Sequence, residues 1–199
     1  WGGGMLTGCG LMNVGGPNQA GGEAHGLHGR LSHTPAGQIN TFSGWTADDA
    51  YELKVEGDIR VSRVFGKNLL MHRSIRTAMG DNAVEIEDTV TNEGFRTTPF
   101  MLLYHMNFGY PLVSEHAFLE AVEHKVTPQN AIAAAGFREW KSAEAPSGDF
   151  IEQVFYHEIP ADNDGMASIS LINPEQKLKL TVSYRVAELP YLVQWKQMG

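Results

Sequence analysis

Apolar and polar residues alternate with a period of two through the middle of the chain, the signature of half-buried strands. Residues 51–56 and 59–64 alternate in this way, and Gly57-Asp58 between them predicts a turn. Gly66-Lys67-Asn68 marks another turn, before a longer and less regular strand over 69–78. After Gly80-Asp81-Asn82, residues 83–91 alternate strongly, which puts Val84, Ile86 and Val90 on a core side, and Asn92-Glu93-Gly94 closes the strand. Residues 99–111 open on a nearly unbroken apolar run, predicting a strand buried on both faces. His105 and Asn107 lie two apart and therefore share a side. Gly109 and Pro111 then force the chain out, placing His105 at the mouth of a cleft. Further strands are predicted over 150–158, 166–173, 176–187 and 191–195, with a tight Asn173-Pro174-Glu175 turn. A short helix is predicted around 131–140, followed by loop at Pro146-Ser147-Gly148. Residues 1–50 are glycine-rich and predict loops and short strands. The regular spacing implies an all-β fold, a large antiparallel β-sandwich or barrel with at most short helices. No repeat or change of composition marks a boundary, so residues 1–199 are expected to form one domain.

Composition narrows the function classes. Hydrophobic residues make up 42% of the 199 and charged residues 19%, a globular balance with enough chain for a large core. A formal net charge of -8 without a Lys/Arg run argues against nucleic acid or an anionic membrane as partner. No apolar run is long enough to span a bilayer. A lone cysteine, Cys9, excludes an internal disulfide and fits a reducing, cytoplasmic compartment. With no base beside it in sequence, Cys9 reads as a small buried thiol. The chain lacks an initiator methionine, Trp1-Gly2-Gly3-Gly4 resembles the middle of a loop, and Gly199 follows directly on a strand. The expectation is a piece of a longer protein, or a chain that has lost terminal residues.

Candidate chemistry concentrates in Gly22-Glu23-Ala24-His25-Gly26-Leu27-His28-Gly29-Arg30-Leu31-Ser32-His33-Thr34-Pro35. Its glycines oppose a helix and its dense polar groups oppose an alternating strand, so it reads as a loop folded by tight turns. Either its histidines gather into a site, or they cap backbone groups on a polar surface, as His25 and His33 suggest. The spacing of His25, His28, His33 and Glu23 matches no standard metal-ligand set, and a cupin's His-x-His pair is absent, so no metal is expected. No phosphate loop, dinucleotide fingerprint, nucleophile elbow or paired CxxC occurs, and no cofactor is expected. General acid/base chemistry suits the inventory better, because histidine gives and takes protons near neutrality. His28 and His105, on separate elements, with Arg30 and Asn107 could clasp a polyhydroxylated ligand. Trp45, Tyr104, Phe108, Tyr110 and Trp140 are candidates for an aromatic platform, or simply core aromatics.

Three stretches resemble a known family. Gly26-Leu27-His28-Gly29 is similar to the Leu-His-Gly motif of the aldose 1-epimerases, the galactose mutarotase-like proteins. Ile86-Glu87-Asp88-Thr89-Val90-Thr91-Asn92 resembles that family's strand ending in Thr-Asn, and Tyr104-His105-Met106-Asn107-Phe108 its second histidine motif. Together with Gly8-Cys9-Gly10-Leu11-Met12-Asn13-Val14-Gly15, residues 26–36 and 104–112 look closer to the DUF4432 branch than to the mutarotases themselves. The resemblance covers most of the chain. It implies a β supersandwich and interconversion of sugar anomers without a cofactor, the partner being a small-molecule sugar. A base takes the anomeric hydroxyl proton, an acid protonates the ring oxygen, and the opened ring recloses on its other face. By this resemblance His105 is the ring-oxygen acid and His28 holds the reacting end; Arg30, Asn107, His33 and Tyr104 are the substrate contacts expected from the residues themselves. Arg30 is unusual after the motif and could meet an anionic sugar substituent or pair with Glu23. The family's glutamate base would fall beyond Gly199, and Glu188 is not a convincing substitute. A non-catalytic carbohydrate-binding or sensing protein on the same fold is the alternative.

Overall fold

The computed structural model describes residues 4–199, so Trp1, Gly2 and Gly3 of the expected N-terminal loop lie outside the described residues. The fold is all-β, every strand pair is antiparallel, and helix is confined to short turns. Contacts divide the chain into two compact units, one up to Asn107 and the other Phe108–Gly199.

The first unit begins with β1 (Leu6–Leu11), followed by a small hairpin of β2 (Asn18–Ala20) and β3 (Glu23–His25). A four-stranded sheet comes next, built in chain order from β4 (Gly37–Trp45), β5 (Tyr51–Ser62), β6 (Asn68–Ala78) and β7 (Glu85–Asn92). β8 (Met101–Met106) then pairs with β1. The core of this unit joins Leu11 on β1, Leu31 and Leu102 to Val61, Leu69, Met71 and Val90 on the sheet. Burial of these side chains is what holds the β1–β8 ribbon against the sheet.

Four local expectations are corrected here. Residues 1–50 contain a nine-residue strand, β4, not only short pieces. Gly57-Asp58 is no turn but the middle of β5, where Gly57 pairs with Arg73. A Cβ on Gly57 would lie 3.4 Å from Ala36 and from the Gly37 carbonyl, beside a register shift between Gly37 and Asn40. Glycine here thus marks close backbone approach at a bulge. Val84, expected in the core, is 58% exposed and precedes β7. β8 is half-buried, not buried on both faces, with Met101 exposed at its start.

The second unit holds β9 (Phe118–Glu120), β10 (Lys125–Pro128), α1 (Ala131–Ala135), β11 (Gln153–Glu158), β12 (Met166–Asn173), β13 (Leu178–Arg185) and β14 (Leu192–Lys196). Its strands form two three-stranded sheets, β10-β11-β14 and β13-β12-β9. Ile159, Ala167 and Ile169 form a core with Leu119, Val182 and Leu192. The expected helix over 131–140 is shorter: α1 stops at Gly136, and a 3-10 turn follows over Phe137–Glu139. Asn130 caps α1 by accepting a hydrogen bond from the Ala133 amide at 3.0 Å. The Asn173-Pro174-Glu175 turn is present, with Asn173 fully buried and its Oδ1 accepting from the Gln176 amide.

Candidate functional site

His105 sits near the end of β8 opposite Thr7, and Gly8 faces Tyr104 in the same ladder. Successive side chains on a strand point to opposite faces. His105 and Tyr104 therefore leave the β1–β8 ribbon on opposite sides. Leu-His-Gly is brought to that ribbon by backbone bonds to Gly10: the Gly10 amide donates to the His28 carbonyl at 3.1 Å, and the Arg30 amide donates to the Gly10 carbonyl at 3.1 Å. Gly29 is required at this contact. Its φ is 77°, and a Cβ would lie 2.5 Å from the Asn13 carbonyl oxygen and 2.6 Å from that of Gly10. His28 itself adopts φ 59°, a left-handed conformation that costs a non-glycine residue about 1–3 kcal/mol. Strain of this kind persists where surrounding bonds over-determine it, and it aims the imidazole at β8.

The result is a pair of imidazoles. The rings of His28 and His105 lie 5.1 Å apart, centroid to centroid, at 66° to each other. Burial lowers the pKa of His28. Burial also lowers that of His105, the neighbouring His28 adds to the effect, and a hydrogen bond with Asn107 opposes it. The pair thus resists carrying two charges, and a protonated His105 is a stronger acid than an ordinary imidazolium. Asn107 is anchored in turn, its amide Nδ2 donating to the Gly4 carbonyl at 2.7 Å.

Tyr104 faces the sheet instead. Its hydroxyl donates to Asp88 Oδ2 at 2.7 Å, and Arg73 forks onto the same carboxylate, Nε to Oδ1 at 2.7 Å and Nη2 to Oδ2 at 2.6 Å. The Asp88 side chain is 1% exposed and that of Arg73 16%. This buried carboxylate ties β6, β7 and β8 together behind the histidine pair. Thr-Asn at the end of β7 drew attention in the sequence, but nothing there linked Asp88 to Arg73 across a ladder.

The remaining expected contacts lie elsewhere. Arg30 is exposed, preceding a 3-10 turn over Leu31–His33, and His33 is exposed at the end of that turn. Glu23 forms its ion pair with Arg63, not with Arg30. Trp45 and Tyr110 are largely exposed. Trp140 belongs to the second unit, where its ring meets His124 and His157. Cys9 is fully buried, with its thiol pushed up to about 11 by desolvation. Among the described residues, no three His, Cys, Asp or Glu side chains gather as a metal-binding group, and no helix is long and apolar enough to cross a membrane.

Comparison with known proteins gives two likenesses. The family model described as "Domain of unknown function (DUF4432)" matches residues 1–199. The crystal structure of a "putative aldose 1-epimerase" from Klebsiella pneumoniae subsp. pneumoniae MGH 78578 superposes with a TM-score of 0.91 at 27% sequence identity. That match covers 98% of this chain and 50% of the other, so the chain spans half the length of its structural relative. No curated protein matches the sequence.

Proposed function

The chain belongs to the DUF4432 family, and from that premise we propose that the whole protein is an aldose 1-epimerase-like isomerase acting at the His28–His105 pair. One observation carries the reading: two half-buried imidazoles from separate elements face each other at 5.1 Å, one of them held in a left-handed backbone conformation. The likeness to the Klebsiella structure supports the same reaction class. In this reading protonated His105 donates to the ring oxygen of the sugar as the ring opens, and takes the proton back as it closes. His28 holds the reacting end, and its proximity keeps the pair from becoming doubly charged. Asn107 orients His105. Removal of the anomeric hydroxyl proton needs a base, a role that the family resemblance gives to a glutamate.

The test uses the full-length protein. Exchange between α and β anomer signals is followed by NMR with a panel of neutral and acidic aldoses. Acceleration over buffer is expected for at least one sugar, and His105→Gln should slow it by about 10²–10⁴-fold, the usual contribution of a general acid. A sugar that binds without accelerated exchange would replace this reading with that of a carbohydrate-binding protein.

A further inference from the structure

The second unit contains a second pair of histidines, which the proposed chemistry does not use. His157 on β11 is 2% exposed. Its Nδ1 lies 2.9 Å from His124 Nε2, just before β10, and its Nε2 lies 3.2 Å from Gln194 Oε1 on β14. The outer ends of this chain of contacts are set by groups with one possible role. His124 Nδ1 lies 2.7 Å from the Val122 carbonyl, which only accepts, so that nitrogen carries a proton. Gln194 Nε2 donates to the Trp140 carbonyl at 2.8 Å, which turns Oε1, an acceptor, toward His157. His157 Nε2 therefore carries a proton as well. The two facing nitrogens need a third proton between them, since two bare lone pairs at 2.9 Å repel. Two neutral imidazoles carry only two protons in all.

We propose that His124 and His157 share one extra proton and form a buried, singly charged pair whose protonation clasps the start of β10 to β11, β14 and the Trp140 turn. The surroundings suit one positive charge. The Trp140 ring meets both imidazoles, at 5.0 Å from His157 and 5.7 Å from His124, and aromatic faces and carbonyls stabilise cations. On the same face of β14, Lys196 is 2% exposed, but its charge is met by Glu144 at 2.5 Å and by the Glu139 carbonyl at 3.1 Å. Lys141 lies over the Trp140 ring at 5.2 Å. Lys125 and Glu158 neutralise each other at 2.6 Å and, being next in sequence to the pair, point to the opposite face of their strands.

The pair titrates as a unit. His157 resists a positive charge of its own: burial, and then the neighbouring His124, push it down to about 4, with the Gln194 hydrogen bond opposing. The stability gained by that resistance is present above the ordinary histidine value of 6.5 and is lost as the pH falls towards about 4.

Nitrogen-15 correlation spectra of the histidine rings in the full-length protein decide the matter. At neutral pH, His124 Nδ1 and His157 Nε2 should both be protonated, with intermediate shifts on the two facing nitrogens. Gln194→Glu places a carboxylate at the end of the chain and should hold the third proton about 1–3 pH units higher, the range for an adjacent opposite charge. Two neutral rings at neutral pH, with a bare His157 Nε2, would overturn the proposal. So would a Gln194→Glu pair titrating at the wild-type pH. Should that variant not fold, the wild-type spectra decide alone.

Discussion

The buried Asp88 carboxylate offers the sharpest quantitative test of how the histidine pair is supported. Asp88→Ala removes the acceptor of both Arg73 bonds and of the Tyr104 hydroxyl. The guanidinium cannot shed its proton, so it stays charged where water has little access. Breaking a buried ion pair from one side costs about 3–5 kcal/mol. Arg73 keeps 16% exposure, which moves the figure to about 3 kcal/mol. Loss of one acceptor for Tyr104 adds about 1 kcal/mol. Against a typical total of about 5–15 kcal/mol, this is a large fraction. Urea unfolding of the full-length protein, read by midpoint at constant slope, measures it. Adding Arg73→Met to Asp88→Ala should restore about 2 kcal/mol, because the double variant buries no orphan charge. Glu85→Gln is the control. Arg76 and Glu85 form the same forked contact at 3.1 and 2.8 Å, but at the surface, where little measurable change is expected. A double variant as unstable as the sum of its single changes, or a Glu85→Gln effect as large as that of Asp88→Ala, would refute the argument that burial sets the cost.

Three further outcomes are expected. Gly29→Ala should destabilise the first unit by about 2 kcal/mol or more, because its Cβ meets two backbone oxygens, whereas Gly26→Ala, with nothing within 4 Å, should be tolerated; urea midpoints compare them. Cys9, buried and pushed up to about 11, should resist alkylation at neutral pH in the folded protein and react fully once unfolded, as mass spectrometry would register. His28 and His105 are both lowered from 6.5, so their preference for the neutral form contributes stability above that pH and loses it as the pH falls through the lowered values. Replacing both with glutamine should flatten the fall in stability between neutral and mildly acid pH.

Strict alternation and turn residues were enough to read the meander: β6, β7, β12 and β13 lie within about two residues of their expected spans. β4 escaped because its large apolar residues, Ile39, Phe42 and Trp45, do not keep a period of two and all remain exposed. Gly57 was misread because a glycine that ends a strand and one that lets another backbone approach look alike in sequence. His28 and His105 were legible through short motifs, but their facing geometry was not. It depends on Gly10 and Gly29 bringing two backbones into contact, a long-range event no local pattern encodes. Asp88 with Arg73 and Tyr104, and His124 with His157 and Gln194, stayed hidden for the same reason. Their bonded partners lie 15 to 37 residues apart, and strand register together with the packing of β8 and of the segment before β10 makes them neighbours. One faint signal was present: Phe155-x-His157 and Gln194-x-Lys196 put polar groups in step with apolar ones on strands that bury that face. The amino-acid pattern by itself thus determined the all-β class and strands such as β6, β7, β12 and β13, since these follow from side-chain period and turn chemistry. Which polar groups are buried together, and how many protons they hold, was decided only by tertiary pairing, because desolvation and hydrogen-bond partners exist only once the strands are in register.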